Sequence, residues 1–146
     1  MPTLCRDDSA GYLTNWAARL YARAIDRELA SIGLSSAHLP VLFALDAGTP
    51  LAQKALAEIA AVEQPTMAAT LARMERDGLV ERLPHPSDRR SSLFRLSEAA
   101  RSRMPATRAA IDRVNAAGMT GASAQEQAQH RAMLRSVVAS LEAFLR

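Results

Sequence analysis

Residues 53–96 read QKALAEIAAVEQPTMAATLARMERDGLVERLPHPSDRRSSLFRL, and the periodicity changes once along the way. Up to Asp77 the apolar side chains recur at helical spacing. Leu56 and Ile59 face inward in a first short helix of about Gln53–Ala60, and Met67, Leu71 and Met74 do so in a second of about Gln64–Asp77. Pro65 suits the first turn of the second helix, where its missing N–H has no intrahelical partner to lose. Gly78 suits the left-handed residue that closes it. Past Gly78 the pattern alternates, as Leu79-Val80-Glu81-Arg82-Leu83 and Ser92-Leu93-Phe94-Arg95-Leu96, which predicts two short strands around a loop at 84–91. Two short helices joined by a tight turn at 61–63 make a helix-turn-helix, an arrangement that also occurs as plain core in many helical folds. The basic hairpin directly after it separates the two readings. Helix pair, strand, basic loop and strand in that order can set one helix in a major groove and an arginine-bearing wing in the neighbouring minor groove.

Outward from this stretch the chain reads as helical on both sides. Leu13, Trp16, Leu20, Ala24 and Leu29 give residues 11–32 the period of an amphipathic helix that Gly33 ends. A short helix over 36–47 has Ser35 or Ser36 to cap it and Leu39, Leu42, Phe43 and Leu45 for its buried side, with Gly48, Thr49 and Pro50 breaking it. After the hairpin, Ser97 can cap a helix to about Ala117 in which Pro105 predicts a bend, and Gly118 and Gly121 form a break. Ser123 and Glu126 make a capping box for a last helix with an apolar stripe of Leu134, Val137, Val138, Leu141, Phe144 and Leu145. That stripe is more than a 146-residue monomer easily hides, so a homodimer is expected, with Leu13, Trp16 and Leu20 of the first helix as partners. The expected fold is mainly α with a small β-hairpin. It forms a single unit over 1–146, with a winged helix-turn-helix lobe at 36–97 and dimerisation helices at 11–34 and 98–146.

Composition narrows the class of function. An apolar share of 49% and a charged share of 23% are ordinary globular values. No apolar run approaches the length of a membrane span, and Asp7 and Asp8 sit where a secretory leader needs an apolar stretch, so a cytoplasmic address with no membrane contact is expected. Cys5 alone allows no internal disulfide, and His38, His85 and His130 lack metal-ligand spacing, so neither structural metal nor cofactor is expected. The net charge is only +3, but the basic residues are 17 arginines and Lys54, unevenly placed. Six arginines (82, 89, 90, 95, 101 and 103) stand against Asp88 and Glu98 between 82 and 103, a local excess of 6 − 2 = +4. Such a stretch suits an anionic partner or, more blandly, a solvated arginine-rich face.

If 64–77 is the recognition helix, its first turn faces base edges. Gln64 can pair bidentately with adenine, Thr66 and Thr70 can reach phosphate or a thymine methyl, and Arg73 can reach phosphate or guanine, with Pro65 setting the turn that presents them. Thr70 lies nearer the core side of the helical wheel. In the wing, Asp88 could hold the guanidinium of Arg89 or Arg90 in a bidentate pair and leave the other for the minor groove. Tyr12, Trp16 and His38 could line a ligand pocket, although aromatics at helical spacing are more often core.

These residues carry a resemblance. Leu56-Ala57-Glu58, Glu63-Gln64-Pro65-Thr66-Met67, Leu71-Ala72-Arg73-Met74-Glu75-Arg76-Asp77-Gly78-Leu79-Val80 and Pro86-Ser87-Asp88-Arg89-Arg90 resemble the MarR family of multiple-antibiotic-resistance type regulators, without gaps from about Leu51 to Glu98. The resemblance implies a homodimer with intertwined terminal helices, two winged lobes on double-stranded DNA, and repression relieved by small, often phenolic, ligands. The chain departs from the family pattern at Ala69, where many members carry Arg, at Ala100 for a common glycine, and at Ala52 for a usual Ser or Thr cap. One branch senses hydroperoxides through a cysteine in the first helix. That position falls on Gly11, six residues from Cys5, so Cys5 reads as an exposed terminal thiol.

Two other classes of function compete with this reading. An enzyme needs a nucleophile or acid–base constellation, and no GxSxG, phosphate loop, HExxH or paired-cysteine motif is present. A helical module binding an acidic protein surface would share the basic stretch but not salt-sensitive, sequence-selective duplex binding.

Overall fold

The computed structural model describes residues 4–146, so the first three residues of the segment read for a leader lie outside it. Its helices are α1 (Ala10–Leu29), α2 (Leu39–Leu45), α3 (Gln53–Ala60), α4 (Gln64–Arg76), α5 (Glu98–Gly118) and α6 (Ala124–Phe144). Its strands are β1 (Leu51–Ala52), β2 (Val80–Pro84) and β3 (Ser92–Leu96). The chain divides into two compact units, one as far as Ile111 and the other Asp112–Arg146. Among the described residues no single helix is long and apolar enough to cross a membrane.

The first unit is built on the winged lobe. Ser9 caps α1 by accepting the Tyr12 N–H, and the helix ends through a 3₁₀ turn at Ala30–Ile32 into Gly33. Another 3₁₀ turn, Ser36–His38, leads into α2, with the Ser35 N–H donating to His38 Nδ1 at 3.1 Å and the Ser36 N–H to Asp26 Oδ1 at 2.7 Å. The second bond holds the Asp26 carboxyl below its usual range, because an N–H aimed at a carboxylate favours the charged form. At the far end of α4 the Leu79 N–H reaches back to the Met74 carbonyl at 2.8 Å around Gly78, whose φ of 71° is the left-handed conformation that side chains resist. Ser97 then joins the two sides of the hairpin: its hydroxyl donates to the Gly78 carbonyl at 2.6 Å and accepts the Ala100 N–H at the start of α5.

Leu29, Leu42, Leu45, Leu56, Leu71, Met74, Leu79, Phe94 and Leu96 are buried almost completely and form the core of this unit. Two side chains expected to point inward do not. Phe43 and Ile59 are 64% and 60% exposed, because α2 and α3 are short enough for Val41 and Ala57 to fill the inner positions instead. Leu51–Ala52, which the pattern did not flag as a strand, pairs antiparallel with β3 and makes the hairpin a three-stranded sheet in the order β1-β3-β2. Ala52 therefore precedes α3 as a strand residue and gives no side-chain cap. The turn between α3 and α4 passes through Ala61 at φ 52°, an alanine in the left-handed region.

In the second unit Gly121 (φ 84°) precedes the capping box on α6: the Ser123 N–H donates to Glu126 Oε2 at 2.7 Å, and Ser123 Oγ accepts the Glu126 N–H at 3.2 Å. The apolar stripe on α6 is open, with Val138 and Leu141 more than half exposed and Phe144 84% exposed.

Candidate nucleic-acid interface

The helix-turn-helix presents α4 by its amino end. Met67, Leu71 and Met74 anchor one side in the core, which turns Gln64, Pro65, Thr66, Ala69 and Arg73 outward to solvent. Gln53 at the start of α3 donates to the Gln64 carbonyl at 3.5 Å, tying together the amino ends of the two helices. Thr70 does not join the outward set. It is 9% exposed and its hydroxyl donates to the Thr66 carbonyl at 3.0 Å, so it is packing rather than a reader of bases. Ala69 leaves the middle of the exposed face without a polar group.

The wing is organised by two residues, one of which the sequence reading had in another role. Asp88 pairs with neither arginine side chain: its Oδ1 accepts the backbone N–H of Arg90 at 2.9 Å, an Asx-type turn. His85 Nδ1 accepts the N–H groups of Ser87 and Asp88 at 3.2 and 3.1 Å, and the Ser91 N–H closes on the Asp88 carbonyl. Both guanidinium groups at the tip are thus left exposed, and among the described residues neither has an ion-pair partner. The sequence signal for His85 was only an imidazole two and three residues ahead of those N–H groups. At the root of the hairpin, Glu81 and Arg95 face each other across β2 and β3 with Nε and Oε2 2.7 Å apart. Arg76, by contrast, lies in the last turn of α4 with its Nε 3.3 Å from Asp77 Oδ1.

The three candidate ligand residues are not gathered within the chain. Tyr12 and Trp16 meet edge to face, ring centres 6.4 Å apart, with Arg6 stacked over Trp16 at 4.6 Å. His38 lies instead beside Asp26, ten residues along α1 from Trp16, or about 15 Å of helix rise. Burial holds the His38 imidazole below its ordinary value; Asp77 and Asp26 act against that shift and Arg73 with it. A separate cleft runs between α2 and α5, lined by Leu39, Leu42, Phe43, Met104, Thr107 and Ile111, with an ion pair between Arg108 and Asp46 at its side. It encloses about 30 Å³, room for little more than water.

The profile of the MarR family matches residues 32–91, the span that holds the helix-turn-helix and the wing. Among solved structures, a probable transcriptional regulator from Pseudomonas aeruginosa is 27% identical, with 90% of this chain and 98% of that one covered and a TM-score of 0.81. A MarR-family transcriptional regulator from Silicibacter pomeroyi is 28% identical, with coverage of 95% and 96% and a TM-score of 0.76. A mutant MarR from E. coli complexed with operator DNA shares the fold at 21% identity, with coverage of 87% and 91% and a TM-score of 0.79. Over the helix-turn-helix and the wing, residues 32–91, the protein is thus similar to the MarR family, and it shares the architecture of these regulators over about nine-tenths of its length.

Proposed function

We propose that this protein is a homodimeric, sequence-specific repressor of transcription, not an enzyme, that binds a pseudo-palindromic operator in duplex DNA and is released by a small aromatic or phenolic effector. The observation that carries the reading is the pairing of an outward face on α4, with Gln64 and Thr66 in its first turn and Arg73 further along, with a wing tip whose Arg89 and Arg90 have no ion-pair partner among the described residues while Asp88 and His85 hold its backbone. A major groove admits the helix and a narrow minor groove attracts the arginines. The fold-sharing E. coli MarR is complexed with operator DNA, which supports the same use here. Dimerisation is supported by the open stripe on α6 and by Leu13 and Leu20, both at least 40% exposed, on α1. A cytoplasmic address suits such a DNA-binding role. For the effector, the α2–α5 cleft is a better seat than Tyr12, Trp16 and His38: its walls suit a ring and Arg108 suits a carboxylate or phenolate, but the cleft must widen to admit them.

Selection of genomic fragments with the purified protein tests this directly. Recovery of a few fragments sharing an inverted repeat, bound at least 10³-fold more tightly than unrelated duplex at equal salt, is the expected result. Recovery of fragments without a shared motif, bound no better than bulk DNA, rejects it.

A further inference from the structure

The two arms of the DNA-binding reading, α4 and the wing, are joined at one place by more than the backbone turn. Arg82 in β2 donates from Nε to Glu75 Oε2 in the last turn of α4 at 3.0 Å. The same guanidinium lies 5.0 Å from the ring centre of Phe94, its cross-strand partner in β3. Phe94 is 2% exposed, stands opposite Leu51 of β1, and is the largest of the fully buried side chains. One arginine side chain therefore touches the recognition helix, the first wing strand and, through an immobile ring, the second. Neither Glu75 nor Arg82 belongs to the set assigned above to the DNA.

From this geometry we propose that Glu75, Arg82 and Phe94 form a clasp that fixes the angle between recognition helix and wing, making Glu75 and Arg82 positioning residues for simultaneous engagement of both grooves. The proposal rests on the DNA-binding reading above. The lever explains why the angle matters. From Arg82 to the loop at His85 the wing extends roughly 10 Å at strand rise, so a rotation of about 10° at the root carries the tip by nearly 2 Å. An arginine inserted in a narrow groove does not tolerate such a displacement. The ring supplies what an exposed ion pair alone lacks: a pair of half-exposed side chains contributes little to stability, but a guanidinium held on an aromatic face has one orientation to offer its carboxylate.

The sign of one substitution separates positioning from plain electrostatics. Glu75 is an anion on the helix that faces DNA, so by Coulomb attraction alone Glu75→Ala strengthens binding. If the clasp positions the wing, Glu75→Ala and Arg82→Met each weaken binding to the selected operator about tenfold. The salt slope stays at the wild-type value because no phosphate contact is lost. Arg82→Lys, which keeps the charge but not the flat guanidinium that Phe94 orients, weakens binding in the same direction, and wild-type binding by it shows that charge alone suffices and overturns the clasp. Melting temperatures within a few degrees of wild type show that the fold is kept, and should Arg82→Met fail to fold, Glu75→Ala decides the matter. Unchanged or tighter binding by Glu75→Ala overturns the clasp. So does a salt slope lowered by about one unit in Arg82→Met, which makes Arg82 a phosphate contact. Wild-type protein that binds no duplex removes the DNA-binding reading, and the clasp with it. Wild-type binding with an indifferent Glu75→Ala removes the clasp alone.

Discussion

Replacing Arg90 by alanine is expected to weaken operator binding more than replacing Arg76, and the structure sets both sides of the comparison. Alanine at 90 keeps the N–H that Asp88 accepts at 2.9 Å, so the wing loop retains its Asx turn and its two bonds to His85. What is lost is a guanidinium with no partner in the free protein, which gives up no ion pair when it enters a groove. A good base contact is worth about 1–3 kcal/mol, so the loss is about 5- to 150-fold in affinity. Arg76 is 70% exposed, ends α4 far from its first turn, and is paired with Asp77. At most it neutralises a phosphate. Its removal lowers affinity evenly across sequences and reduces the slope of log K against log salt by about 0.9. Fluorescence anisotropy titrations of both variants on the selected operator and on an unrelated duplex, at two salt concentrations, distinguish them. Equal losses, or a larger loss for Arg76→Ala, refute the assignment of the hairpin as a DNA-reading wing.

Four further outcomes are expected. Asp88→Ala weakens operator binding, although it removes a negative charge from the wing, because the loop loses its turn; tighter binding in the same titration argues against that role. Ala61→Gly relieves a left-handed alanine and stabilises the fold by roughly 1 kcal/mol, read as a rise of about 2–4 °C in thermal melting; a fall speaks against strain in the helix-turn-helix turn. The Asp26 carboxyl is held below its ordinary value by the Ser36 N–H, so its contribution to stability is present above the unfolded value near 3.8 and is lost as the pH falls through the folded one. Asp26→Asn therefore melts lower than wild type at pH 7, and the difference closes below about pH 4; a constant difference across that range excludes the carboxylate as its cause. Leu141→Glu puts a charge in the open stripe of α6 and converts a dimer to a monomer in sedimentation at micromolar concentration; wild-type protein that already sediments as a monomer contradicts the dimer.

Most of the lobe was legible because period and punctuation agreed. Pro65 at the start of α4, Gly78 at its end and the switch to alternation afterwards each have a local cause, and Met67, Leu71 and Met74 are buried as their spacing requires. Pattern failed where elements are too short to carry one. Two residues, Leu51 and Ala52, cannot show alternation, yet they complete the sheet because β3 offers a free edge. Phe43 and Ile59 satisfy a helical wheel and are still exposed, since a helix of seven or eight residues needs only two or three inward positions. In the hairpin, residue types located the loop but not its bonds. Asp88 beside two arginines suggests an ion pair, whereas an aspartate at a turn finds the backbone N–H two residues on at a smaller cost in side-chain entropy. Of Tyr12, Trp16 and His38, the two rings one helical turn apart on α1 meet, whereas His38 comes after the end of that helix and lies away from them.

Hydroxyl-radical footprinting of the selected operator tests most directly whether a two-fold pair of winged lobes reads the duplex. Two equivalent protected half-sites are expected, their centres about one helical turn or roughly 34 Å apart, each flanked by protection in the adjoining minor groove that disappears with Arg90→Ala. A single unrepeated patch, or flanking protection that survives in Arg90→Ala, contradicts a dimer that uses helix and wing together.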